Sequence, residues 1–220
     1  MNVAVIPALN EATRIAAVVK AAQPYVDRVV VVDDGSSDGT GDAARAAGAF
    51  VLRHPENCGA GAATMTGIEA ARRMGATNIV TLDADEQHDP KDMPALLAAL
   101  ATGVDVVFAN RFGQCNNIPP IRRVFNGIGN IVTLAATGMW ISDSQCGYKA
   151  FGPKAVQELK LRMNGFEFCT EIVRETVQRK WTYTQVPVKV LYSEYTLAKG
   201  QSFANGVKTA LKILLRSFLR

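Results

Sequence analysis

The chain has 220 residues, 48% of them hydrophobic and 20% charged, which suits one domain with a full core. Its net charge of +4 is local: residues 195–220 hold five basic residues and no acidic one, and the remainder balances nineteen basic against twenty acidic residues. That distribution excludes a generally basic surface, so nucleic acid is not expected as a partner, and an anionic partner at one end of the chain is.

Cys58, Cys115, Cys146 and Cys169 form no C-x-x-C pair, so neither a disulfide framework nor a cysteine metal site is expected and a reducing cytoplasm is. The N-terminus opens directly on an apolar strand, without the charged and cleavable segments of a signal peptide.

In chain order, the spacing predicts a strand at 3–7, a helix at 11–22 and a buried strand at 29–32. A helix at 39–47, a short strand at 50–52, a helix at 61–74 and a fourth strand at 79–82 follow. Beyond Pro94 come a helix to Ala101 and a strand at 105–109. Val124 to Ser142 lacks formal charge and is long enough to span a bilayer, but its asparagines, threonines and glycines point to a buried or interfacial helix. A loop at 143–149, helices from Pro153 and near 167–179, and a strand at 183–190 complete the alternation. A last helix follows, with Lys208, Lys212, Arg216 and Arg220 on one side and apolar residues on the other.

Alternating strands and helices predict an α/β fold with a mostly parallel sheet, and every sharp polar cluster in the first half follows a strand. Neither G-x-G-x-x-G nor the P-loop pattern occurs, so the nucleotide site is of another kind. The strongest cluster is Asp83-Ala84-Asp85-Glu86-Gln87 after the fourth strand. If the strand continues through it, alternation puts Asp83 and Asp85 on one side, where with Gln87 they can hold a hard cation, Mg2+ or Mn2+. Such an ion bridges two phosphates and stabilises a diphosphate as it leaves.

Taken together, these motifs resemble a family-2 glycosyltransferase of the GT-A fold, in particular its dolichol- and polyprenyl-phosphate mannosyltransferase branch. Pro7-Ala8-Leu9-Asn10-Glu11 and Asp33-Asp34-Gly35-Ser36 match the nucleoside-binding strands, and Asn57-x-Gly59-x-Gly61 matches the loop beside the nucleotide. Asp83, Ala84, Asp85 and Gln87 fall on the metal and diphosphate motif. Donor binding is therefore implied for Pro7, Ala8, Asn10, Glu11, Asp33 or Asp34, Ser36 and Gly61, with Asp83 and Ala84. Asn110-Arg111, Arg122-x-x-x-Asn126 and Asp143-x-x-Cys146-Gly147-Tyr148-Lys149 are similar to the branch's acceptor segments. Asn110 and Asn126 replace serines, and Lys149 replaces an arginine, keeping charge without the bidentate fork.

The resemblance implies a catalytic domain at 1–202 with an appended basic helix at 203–220, and an inverting transfer of a hexose to polyprenyl or dolichyl phosphate. GDP-mannose is the leading donor and a UDP-sugar the next. A phosphate monoester is largely ionised near neutral pH, its second pKa being about 6. It can therefore attack the anomeric carbon directly if cations hold it in line, and Arg111, Arg122 and Lys199, with Lys149 and Asn126 beside them, are the expected acceptor-phosphate residues. Asp85, Arg111, Arg122 and Lys199 form the expected catalytic set. A saccharide hydroxyl acceptor would instead need a base such as Glu167 or Glu171, and a non-catalytic nucleotide-sugar-binding subunit is a third reading. Peripheral attachment to the cytoplasmic face of a membrane, by the basic helix or by a small membrane-anchoring protein, is expected.

Overall fold

The structure is a computed structural model that describes residues 1–114 and 116–191. Cys115, Lys199 and the basic helix expected at 203–220 lie outside the described residues.

Seven strands form one sheet: β1 (Asn2–Ala8), β2 (Arg28–Asp33), β3 (Phe50–Arg53), β4 (Asn78–Thr81), β5 (Val106–Asn110), β6 (Lys149–Phe151) and β7 (Tyr183–Pro187). Their order across the sheet is β3-β2-β1-β4-β6-β5-β7. All neighbours run parallel except β6, which lies antiparallel to both β4 and β5. The sequence pattern does not reveal this strand, since residues 143–149 read as a loop.

The helices are α1 (Ile15–Ala22), α2 (Thr40–Ala46), α3 (Ala60–Arg73), α4 (Met93–Ala101), α5 (Pro120–Thr137), α6 (Pro153–Glu158) and α7 (Phe168–Gln178). β1 and β2 are buried on both faces, which is why they read as continuous valine-rich runs. Alternate residues serve two cores. Ala4, Ile6 and Val31 pack against Ile15 and Val19 of α1, Ala44 of α2 and Leu96 of α4. Val3, Val5 and Val30 pack against Ile68 of α3, Val156 of α6 and Ile172 of α7. The product is a three-layer α/β/α domain.

α1 begins at Ile15 rather than at Glu11, because the Glu11 amide donates to Thr40 Oγ1 at 2.8 Å and holds the chain against the β2–α2 loop. α5 departs from the other helices. Its buried residues are Asn130 and Thr133, while its large aliphatic side chains face outward. No described helix is long and apolar enough to cross a membrane.

The strand order reverses direction between β1 and β4, and the carboxyl ends of β1, β2 and β4 open on the same edge. Such a switch point leaves a crevice for a ligand.

Ile6 is fully buried at the centre of this frame. Ile6→Ala is expected to lower the unfolding free energy by about 3 kcal/mol in urea denaturation, and a loss below about 1 kcal/mol would contradict the packing described.

Candidate active site

Three loops meet at the switch point. After β1, the Asn10 amide donates to Ser36 Oγ at 2.9 Å, and Asn10 Oδ1 accepts from the Ser37 amide at 3.0 Å. Asn10 adopts φ 54°, a left-handed backbone that asparagine tolerates better than most residues. The ends of β1 and β2 are thereby tied into one surface.

The two aspartates after β2 divide their work. Both oxygens of Asp34 are occupied: Oδ1 accepts from the Cys58 amide at 2.9 Å and lies 2.7 Å from His54 Nδ1, and Oδ2 accepts from the Gly59 amide at 2.8 Å. His54 Nε2 lies 3.0 Å from Thr66 Oγ1. Asp34, His54 and Cys58 present ligand atoms within 4.8 Å of one another and so have the spacing to hold a metal. Their hydrogen bonds already satisfy the carboxylate and both ring nitrogens, so the cluster reads as a lock on the loop before α3. Asp33 differs. It is fully buried, its Oδ1 accepts from the Ser36 amide, and its Oδ2 has no hydrogen-bond partner. That oxygen lies 3.7 Å from Arg53 Nε and directly against Gly41, so it is held by an ion pair and by packing.

β4 stops at Thr81, so Asp83 and Asp85 do not converge by strand alternation as expected; they converge through a turn in which Glu86 takes φ 64°. Burial raises the Asp85 pKa, and the Asp83 charge raises it further, with a smaller contribution from Glu11. Gln87 is drawn to the same carboxylate. Its amide N–H donates to Asp85 Oδ1 at 3.1 Å and its side chain to Oδ2 at 2.8 Å, leaving Gln87 Oε1 as the atom it can offer a cation. This crowding of hard oxygen donors, held against their own repulsion, fits a divalent ion. Ala84 is buried between the two carboxylates in sequence, beneath the turn.

Gly147 seals the other side of Asp83. A Cβ at Gly147 would meet Asp83 Oδ1 at 2.5 Å, so only glycine permits this approach. Next to it, His88 is buried with Nδ1 3.5 Å from Asp83 Oδ2 and no hydrogen-bond partner, and Nε2 3.5 Å from Cys146 Sγ. Burial lowers the His88 pKa, opposed by the Asp83 charge. The sequence alone favours a solvated or structural role for His88, and its burial against Asp83 and Cys146 makes it structural.

Four expected site residues stand differently from the sequence reading. Gly61 packs against Met163 and Phe168, with its amide donating to the Asn164 carbonyl at 2.7 Å, so it supports the loop from beneath. Asp34 is occupied as described. Lys149 is fully buried in β6: its ammonium donates to the Cys146 carbonyl, reaches Cys169 Sγ at 3.5 Å and lies 5.9 Å from the Phe168 ring centroid. It holds the 146–149 turn and does not present its charge at the surface. Arg111 is buried in a bidentate pair with Asp143, Nε to Oδ2 at 2.7 Å and Nη2 to Oδ1 at 2.8 Å, so its primary work is to fix that loop.

Arg122, Asn126 and Asn130 follow one another at four-residue intervals along α5 and share a side of the helix. Asn130 anchors it by donating to the Ser142 carbonyl at 2.7 Å and accepting from the Ser144 amide at 2.9 Å. Glu171 accepts from the Arg162 and Met163 amides at 2.9 to 3.0 Å, which makes it the anchor of the loop before α7. Glu167 is buried at the start of that helix.

The mostly parallel sheet with a carboxylate pair at its switch point is the GT-A architecture of nucleotide-sugar enzymes. The model for glycosyl transferase family 2 matches residues 3–159, and the chain belongs to that family and is a glycosyltransferase. It is 30% identical over 235 residues to the UDP-N-acetylglucosamine–dolichyl-phosphate N-acetylglucosaminyltransferase of Methanococcus voltae, covering 96% of this chain and 94% of the relative. It is 28% identical over 210 residues to the polyprenol monophosphomannose synthase of Mycolicibacterium smegmatis, covering 89% and 79%. Among solved structures, glucosyl-3-phosphoglycerate synthase from Mycobacterium tuberculosis, in complex with Mn2+, UDP-glucose and phosphoglyceric acid, superposes with a TM-score of 0.77 at 20% identity. The match covers 100% of this chain and 78% of that one, and it establishes the fold.

Two outcomes test this geometry. A carboxyl group whose pKa is raised by folding contributes stability below its unfolded pKa and loses it as pH rises through the folded value. Asp85→Asn imitates the protonated state, so with chelator at pH 7 the variant is expected to exceed the parent in unfolding free energy by on the order of 1 kcal/mol; equal or lower stability contradicts the crowding. Arg111→Ala leaves the buried Asp143 charge without its guanidinium partner, only the residue-111 amide still donating to it, and is expected to cost about 3 kcal/mol in the same assay, whereas a loss of a few tenths would contradict a loop-fixing role for the pair.

Proposed function

We propose that the chain transfers a hexose from a nucleoside-diphosphate sugar to a polyprenyl phosphate by a single inverting displacement. One observation carries this reading over a saccharide acceptor. Of the two carboxylates that could serve such an acceptor as base, Glu171 is engaged by the Arg162 and Met163 amides and Glu167 is buried at the start of α7, so neither stands at an open surface to take a proton from a hydroxyl. A phosphate acceptor needs no such base. The two lipid-phosphate transferases named above, matched over most of their length, support the same acceptor. GDP-mannose, favoured by motif resemblance, shares first place as donor with UDP-N-acetylglucosamine, the donor named for the Methanococcus relative.

In this reading Asp33 or Asp34 and the 7–11 segment receive the nucleoside. Asp83 and Asp85, with Gln87 Oε1, hold Mg2+ or Mn2+, which when bound offsets the charge of the departing diphosphate. Glu11 sits beside this pair and Ala84 lines it. Arg122 and Asn126, on the inward side of α5, meet the acceptor phosphate, and Lys199 completes its cation set. Arg111 acts through Asp143, keeping the 142–147 segment and hence Gly147 against Asp83. The acceptor phosphate loses its second proton near pH 6, so the rate is expected to rise through that range as the dianion forms.

The test incubates the protein with Mn2+, polyprenyl phosphate and radiolabelled GDP-mannose, UDP-glucose or UDP-N-acetylglucosamine, and counts label entering organic solvent. Label from one donor, reduced at least ~100-fold in Asp85→Ala, is the expected result. Label transferred to a saccharide and not to the lipid would overturn the acceptor assignment.

A further inference from the structure

Two adjacent strand ends and one loop bring three unlike side chains together. β2 and β3 run parallel with Asp33 opposite Arg53, so the residues that follow them, Asp34 and His54, stand side by side at the carboxyl edge of the sheet. The His54 amide donates to the Asp33 carbonyl at 2.9 Å and fixes that placement. Cys58 arrives from the loop before α3, which passes so close to Gly35 that a Cβ there would meet the Glu56 carbonyl carbon at 2.4 Å. Asp34 Oδ1 and His54 Nδ1 are 2.7 Å apart, and the carboxylate, imidazole and thiol ligand atoms all lie within 4.8 Å of one another. The sequence hides this set, because Asp34 is remote from the other two and no C-x-x-C pair announces it.

The surroundings suit a ligated ion. Four-coordinate zinc holds its ligand atoms at about 2.0 to 2.3 Å, and hence about 3.3 to 3.8 Å from one another. The Asp34–His54 contact lies below that range and the outer limit of the cluster above it, so side-chain rotation reaches it. A metal-bound imidazole donates its second ring N–H to an oxygen. His54 Nε2 lies 3.0 Å from Thr66 Oγ1, which serves as that acceptor and leaves Nδ1 for the ion. Asp34 is held from behind by the Cys58 and Gly59 amides, the outer support that orients a ligating carboxylate. Cys58 is a free, half-buried thiol, so solvent can supply the fourth ligand. Thiolate and imidazole select zinc over the magnesium or manganese that the all-oxygen set of Asp83, Asp85 and Gln87 suits.

We propose that Asp34, His54 and Cys58 form a second metal site, for a soft divalent ion of the zinc class, separate from the Asp83–Asp85 pair. In the structure a hydrogen bond joins Asp34 to His54, and the ion takes the place of that hydrogen. The imidazole then carries its proton on Nε2 instead of Nδ1, the Cys58 thiol releases its proton to water, and all three side chains ligate. The bound ion fastens the ends of β2 and β3 to the loop that opens α3, tightening by coordination what the hydrogen bonds already hold. Neither the donor nor the acceptor enters this assignment, so it stands or falls apart from the lipid-phosphate reading.

The experiment uses the full chain, treated with chelator and returned to buffer containing excess Mg2+ to fill the all-oxygen site. Titration with Co2+, a spectroscopic stand-in for zinc, is expected to produce a thiolate-to-metal charge-transfer band that saturates at about one equivalent and disappears when Zn2+ is added. Cys58→Ser is expected to abolish the band and His54→Gln to weaken Co2+ binding at least about tenfold, while Cys115→Ser and Asp85→Asn retain it. A second readout needs no substitution: Zn2+ at about 100 times its dissociation constant is expected to raise the unfolding midpoint of the parent by about 5 °C. Parent protein that gives neither the band nor this stabilisation overturns the proposal, whatever the variants do. A band that persists in Cys58→Ser also overturns it and gives the thiolate to another cysteine.

Discussion

The site depends on two carboxylates that the fold holds closer than they would choose to stand. Asp83 and Asp85 meet across a turn that forces Glu86 into a left-handed conformation, with burial and mutual charge both opposing ionisation of Asp85. What holds them is a set of contacts from outside the turn. Gln87 donates twice to Asp85, and Gly147, lacking a side chain, leaves room for Asp83 to lie against it. The strain is local and the support is distant, arriving from β6, from the 142–147 segment and from α5 behind it.

Several charged groups that read as functional in the sequence serve this support. Arg111 binds Asp143, Lys149 binds the Cys146 carbonyl, and Glu171 binds two amides ahead of α7. Buried ions persist only with such partners, because an unpaired one would cost several kcal/mol. The Cys146 thiol, its pKa pushed up to about 12 by burial, stays a neutral packing group next to His88. The distinction matters for mutagenesis: loss of activity at Arg111 or Lys149 reports a collapsed loop, and only a stability measurement alongside it separates that from a lost contact with substrate.

The first half of the fold was legible because it is repetitive. Valine runs bounded by glycine and aspartate turns specify strands buried on both faces, and those strands and the helices between them fall within a few residues of the expected positions. β6 was not legible: it is three residues long, begins with a lysine and is stabilised by pairing with β4 and β5, both remote in sequence. The different surroundings of Asp33 and Asp34 were equally hidden, since they turn on Arg53 reaching one and the Cys58 and Gly59 amides reaching the other. For α5 the uncharged run was visible and the direction in which the helix faces was not. A helical wheel has no inside until Asn130 and Thr133 are seen bonded to Ser144 and Thr170.

The central claim is that this carboxylate pair binds a divalent cation that in turn receives a nucleoside diphosphate. Isothermal titration of the protein with UDP and with GDP, each with and without Mn2+, tests it most directly. One of the two is expected to bind at least tenfold more tightly with the ion, about 1.4 kcal/mol or more, and to lose that difference in Asp85→Asn. Nucleotide affinity unchanged by Mn2+ in the parent protein would contradict the account.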